Sequence, residues 1–144
     1  MEQLVQAMRV VLAESFALYL KGQYFHWNVE GADFKQYHDL FGDFYEAVYE
    51  GIDPMAEEIR ALDAYAPGSL ERYLELSKIK GETIIPNNIE MARRLIEDNE
   101  VVLASLASAY KLAEQEQQLG LSNFLQDRID VHRKQRWMLT ASTK

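Results

Sequence analysis

Apolar positions along the chain recur at the three- and four-residue intervals of amphipathic helices, and no stretch sustains the alternation of a strand. The first run extends from about Glu2 to Asn28, with Val5, Met8, Leu12, Phe16 and Tyr19 on a stripe that His26 continues. Gly31 interrupts it. Asp33 with Gln36 three residues later has the form of a capping box for a second helix, which reaches about Ala64. Gly51 and Pro54 predict a kink or restart within that helix. Residues 65–86 carry Pro67, Gly68, Gly81 and Pro86 and read as a connection holding a short helix around Glu71 to Leu76. A third helix opens at Pro86 with an Asn87/Glu90 capping box and runs to about Gln118. Gly120 stops it, and Ser122 caps a fourth helix that ends near Thr140.

Two helix pairs separated by so long a connection predict a crossover between parallel helices rather than a tight turn between antiparallel neighbours. The fold class expected is therefore all-α, a ferritin-like four-helix bundle whose long crossover contains the short helix. At 144 residues, one domain spanning 1–144 suffices to bury a core without staples.

Composition narrows the chemistry. The absence of cysteine excludes thiolate zinc sites, iron–sulfur ligation and thiol peroxidase reactions, so a bound metal must take nitrogen and oxygen ligands. The N-terminal run begins with Glu2 rather than positive charge and reads as a helix of the mature protein, and no apolar run approaches the ~20 residues of a membrane span. A cytoplasmic location with no membrane partner is expected. Fifteen basic against 23 acidic side chains give a net charge of −8, which attracts cations and repels nucleic acid at long range. The tightest basic group, Arg133 to Arg136, reads as a solvated helix face.

His26 and His38 lie twelve residues apart across the Gly31 break. In an antiparallel hairpin turning there, residues whose numbers add to about 64 stand side by side, and these two histidines do. Asp53 and Glu57 share a face one turn apart, but about 22 Å of helix separates Asp53 from His38, so one chain cannot bring all four to one ion. A two-fold axis removes the difficulty. If the second helix crosses its symmetry mate near residues 45 and 46, His38 of one chain comes level with Asp53 and Glu57 of the other, and the site forms twice. Two imidazoles and two carboxylates suit Fe(II), Mn(II) or Zn(II). Asp53 before Pro54 fits a helix cap as well as a ligand. His132 shares a stripe with Leu125, Ile129 and Leu139 and reads as a packed or interface histidine.

The segments "HWNVEGADFKQYHDLF" and "IDPMAEEIRAL" resemble the Dps family, the miniferritins that protect DNA from oxidative damage in starved cells, and "RIDVHRKQRWMLTAS" resembles the family's last helix. The resemblance implies a homo-oligomeric hollow dodecamer with His26, His38, Asp53 and Glu57 as ferroxidase ligands. There iron (Fe2+/Fe3+) is oxidised by hydrogen peroxide or dioxygen, and ferric mineral is stored inside. Trp27 is similar to the family's tryptophan beside the iron site, as a radical-accepting indole or as interface packing. Asn123, Asp127 and Asp130 fall near one face of the last helix, where such cages have iron-admitting pores. An ordinary ferritin would instead carry Glu-x-x-His pairs, which none of the three histidines completes. Two departures stand out. Gly42 occupies the place of a usual aspartate, which means either a close approach or a lost ligand. The first twenty residues hold one basic residue, Arg9, so DNA binding by a basic tail is not supported. The alternative function is a DNA-compacting or structural cage with weak or degenerate iron chemistry.

Overall fold

The computed structural model describes Met1–Lys144 and consists of α1 (Glu2–Asn28), α2 (Phe34–Tyr49), α3 (Ile52–Ala61), α4 (Leu70–Leu76), α5 (Asn88–Gln115) and α6 (Leu119–Ser142), with no strand. Helix α1 buries Leu4, Val5, Met8, Val11, Leu12, Leu18 and Phe25, more than a single stripe, because it packs against α2, α3, α4 and α5 together. On α2 the buried set Tyr37, Phe41, Phe44 and Val48 repeats every three or four residues, as does Met91, Leu95, Val102, Leu106, Ala109 and Ala113 on α5 once the buried Asn99 between Leu95 and Val102 is counted. These residues merge into one core.

Polar bonds between helices fix the chain directions. Lys21 pairs with Asp98, and Glu14 accepts from Ser105, so α1 and α5 are antiparallel. The Tyr37 hydroxyl donates to Ser142 O at 2.8 Å and Arg128 Nη2 to Ala47 O at 2.8 Å, which sets α2 antiparallel to α6. Since α1 and α2 form a hairpin, α2 and α5 run parallel, and the segment with α4 is the crossover anticipated from its length. Glu14, wholly buried on α1, holds the crossover down by accepting from Lys78 N at 3.1 Å.

The restart expected at Gly51 and Pro54 is present, and the second helical stretch is two helices, α2 and α3; helix caps and ends differ from expectation in three other places. Pro54 cannot donate a backbone bond, and Gly51 leaves room for the Arg128 guanidinium, whose Cζ would lie 2.4 Å from an added Cβ. Gly51, not Asp53, is the N-cap of α3, so Asp53 lies in the first turn and caps nothing. Asp33 is the N-cap of α2 but makes no side-chain cap bond. Its φ of −101° and ψ of 24° depart from the extended backbone with which Ser69 and Asn87 reach Arg72 N and Glu90 N. The last break falls at Gln117, with φ 57°, where Gln118 N bonds Ala113 O and Gln117 N bonds Glu114 O in a Schellman turn. That closure satisfies the end of α5 before Gly120 is reached, so Gly120 and Ser122 lie inside α6, not between helices.

Candidate metal centre

His26 ends α1 and His38 lies in the second turn of α2, and the hairpin brings their rings face to face, with centroids 3.8 Å apart and planes 17° from parallel. Each ring is fixed by the other's backbone: His26 Nδ1 donates to His38 O and His38 Nδ1 to His26 O, both at 2.7 Å. A carbonyl oxygen only accepts, so Nδ1 carries a proton in both rings, and in the neutral imidazole Nε2 is the atom that keeps the lone pair. Two metal-ready nitrogens are thereby presented by a rigid, reciprocal clasp of the sort that orients imidazole ligands in metal sites. Both rings are half-buried.

The clasp depends on close approach of the helices. A Cβ at Gly42 would lie 3.0 Å from both Cε1 and Nδ1 of His26. The glycine is therefore explained by packing inside the chain, and an aspartate there would have to displace the imidazole. No carboxylate joins the pair from α2.

Asp53 and Glu57 are exposed one turn apart on α3, beyond the Gly51 break. No group of three or more histidine, aspartate and glutamate side chains able to hold a metal forms within the single chain. The structure thus brings together His26 and His38 and leaves Asp53 and Glu57 apart from them. Trp27, next to His26, is 63% exposed and borders a surface groove of about 350 Å3 with Leu20, Tyr24, Tyr73 and Leu74. Asn123, Asp127 and Asp130 are all exposed on α6, Asp130 within 3.6 Å of Arg133.

The third histidine is a packing residue. His132 is 1% exposed; its Nδ1 donates to Asn99 Oδ1 at 2.7 Å while Asn99 Nδ2 donates to His132 O at 3.0 Å. Burial, reinforced by the nearby Arg128 charge, lowers its pKa to about 3. Burial also pushes Arg128 below its ordinary value, with Glu50 opposing. Two features of the site were not anticipated: the reciprocal histidine bonds, and Tyr45, whose ring centroid is 5.3 Å from that of His26. The hairpin register could have found Tyr45, since it stands level with Tyr19 by the rule that pairs the histidines.

No helix is long and apolar enough to cross a membrane. A family model described as a ferritin-like domain matches residues 5–144. An uncharacterized low temperature-induced protein of Nostoc sp. is 33% identical over 130 residues, covering 89% of this chain and 73% of that protein. Antigen TpF1 of Treponema pallidum is 32% identical over 140 residues, 96% of this chain and 79% of that protein. Its crystal structure superposes with a TM-score of 0.95 at 30% identity, over 99% of this chain and 92% of that one. The Dps protein of Vibrio cholerae O1, described as a member of a broad superfamily of ferritin-like diiron-carboxylate proteins, gives a TM-score of 0.95 at 28% identity, over 99% and 90%. On the helix order, the parallel crossover and these matches together, the chain belongs to the Dps family of ferritin-like proteins, a family known for iron storage and DNA protection.

Proposed function

We propose that the protein is a cytoplasmic miniferritin ferroxidase: a dodecameric cage that oxidises Fe(II), with hydrogen peroxide or dioxygen as oxidant, and keeps the ferric product inside. The observation that carries this reading is the histidine clasp, which fixes two Nε2 lone pairs side by side with no hydrogen-bond donor in the chain to occupy them. Fe(II) is the substrate. His26 and His38 bind it, and Asp53 and Glu57 of the partner subunit complete the site across a two-fold axis. Each carboxylate adds negative charge, which stabilises Fe(III) more than Fe(II) and so favours electron loss. In the two-electron reaction, hydrogen peroxide takes one electron from each of two Fe(II) ions; its O–O bond breaks and two hydroxides form.

A cage that compacts DNA instead finds less support. The chain carries −8, and Arg133 and Arg136 of its basic cluster pair with Asp130 and Glu100. The test is anomalous diffraction at the iron edge from crystals soaked anaerobically in Fe(II). Iron bound between His26 and His38 of one subunit and Asp53 and Glu57 of the next is the expected result. Iron absent from the histidine pair would overturn the reading.

A further inference from the structure

His38 lies on α2, Asp53 and Glu57 lie on α3, and the break between those two helices is occupied by a cation from α6. Arg128 is 8% exposed, and its guanidinium fills the notch at Gly51. Gly51 has φ −84° and ψ −14°, a backbone open to any residue, so its conformation does not call for glycine. The missing side chain does, since a Cβ there would fall on the guanidinium. The turn that ends α2 is shaped to receive the same group. Gly51 N bonds Val48 O, three residues back, which releases Ala47 O from its helical partner, and Arg128 Nη2 donates to that oxygen at 2.8 Å. The cation also meets the negative end of the α2 dipole. Apolar packing would fill this space with less penalty: Arg128 Nε is buried without an acceptor in the chain, and burial pulls the guanidinium below its ordinary pKa.

We propose that Arg128 is a positioning residue for the iron site: wedged at Gly51 and bonded to the last turn of α2, it fixes the direction in which α3 leaves α2, and with it the place of Asp53 and Glu57. The proposal rests on the ferroxidase reading above and assigns a further residue to it. Arg128 touches no iron and acts through the backbone of the break. That break needs an external brace, because Pro54 removes a backbone donor from the first turn of α3. The other anchor of α3 is the buried pair Met55 and Ile59, which seats it on α1 and leaves Asp53 and Glu57 exposed. Glu57 comes six residues after Gly51, about 9 Å along the helix, so a tilt of about 10° at the break displaces it by roughly 1.5 Å. A misplacement of ~1 Å is enough to cost a reacting arrangement about a hundredfold. The wedge thus couples α6, which carries no ligand, to the two carboxylates offered to the neighbouring subunit.

The experiment titrates intact cages with Co(II), a stand-in for Fe(II) held without oxidant, whose visible d–d bands report ligand number and geometry. Fe(II) oxidation by peroxide, sedimentation and thermal melting are followed in parallel. Arg128→Met keeps the side-chain length and leaves no buried charge. Its cages should sediment and melt close to wild type, yet bind Co(II) about tenfold more weakly, with altered bands. Gly51→Ala retains the arginine but expels it from the notch, and should give the same loss; combined with Arg128→Met it should give no more than either alone. In cages that already carry Asp53→Asn with Glu57→Gln, Arg128→Met should change Co(II) binding no further, since the carboxylates it places are gone. Unchanged Co(II) affinity and bands in both Arg128→Met and Gly51→Ala, or a further loss in the carboxylate-free background, overturns the positioning role and leaves the ferroxidase reading standing. If Arg128→Met does not assemble, Gly51→Ala decides by the same readouts. Wild-type cages that neither bind Co(II) nor oxidise Fe(II) overturn both.

Discussion

The imidazole of His26 lies against the bare backbone of Gly42, so near that a Cβ on that residue would be 3.0 Å from two of its ring atoms. The ring cannot retreat freely, being stacked on His38 and bonded to its carbonyl. Gly42→Ala should therefore loosen the clasp and weaken anaerobic Fe(II) binding by about tenfold, equivalent to about 1.4 kcal/mol. Thermal stability should hold, since alanine in a helix interior recovers roughly 0.5–1 kcal/mol over glycine. Gly42→Asp should weaken tight iron binding likewise rather than add a second site. A competition titration showing unchanged affinity in Gly42→Ala would mean that the clasp does not position the ligands.

Ligands divided between subunits make complementation possible. Cages of His38→Ala alone, or of Asp53→Asn with Glu57→Gln alone, should oxidise Fe(II) poorly. Reassembled from an equal mixture, half the interfaces pair one variant with the other, and each such interface regains one of its two sites. About a quarter of the wild-type site number should return. No recovery in mixed particles that sediment like the wild type would place the whole site in one chain.

His132 ties stability to acidity. Its pKa of about 3 in the fold lies below the ordinary 6.5, so the unfolded chain takes up a proton that the folded chain refuses. The contribution is complete above pH 6.5 and is lost as pH falls from there towards 3, at about 1.4 kcal/mol per pH unit. His132→Gln should cost about 1–3 kcal/mol at neutral pH through the disturbed Asn99 bonds, yet give a shallower decline on acidification. Urea unfolding followed by circular dichroism across that range checks both. A parallel acid decline in the variant assigns the effect to other groups.

Linear DNA should pass unretarded in a gel shift near ~150 mM salt, because few phosphate counterions can be displaced by a chain of this charge. Retardation at that salt would revive the compaction reading.

The hairpin register was legible in the sequence because it depends only on where the turn falls and on the constant rise of a helix, and the two histidines that it sets level are the two whose rings stack. The crossover was legible from its length. Helix ends were less so, because a capping side chain works only when its backbone is extended. Asn87 and Asp33 look alike as letters, and only Asn87 has that conformation. Gln117 hid the last break, since its left-handed backbone is one that glycine more often signals. Gly42 was ambiguous for a related reason: a missing side chain records that space was needed without naming what fills it.

Glu14 carries a consequence of another kind. One of its carboxylate oxygens is committed to the hydroxyl of Ser105 and the other to a backbone amide of the crossover, which any non-proline residue at position 78 would supply. Losing Ser105 leaves the buried Glu14 carboxylate without that donor, and losing Glu14 leaves the half-buried Ser105 hydroxyl unpaired, so positions 14 and 105 are constrained as a unit while position 78 is not. Among descendants of a common ancestor, 14 and 105 should therefore be replaced together or not at all, and 78 should drift freely between them.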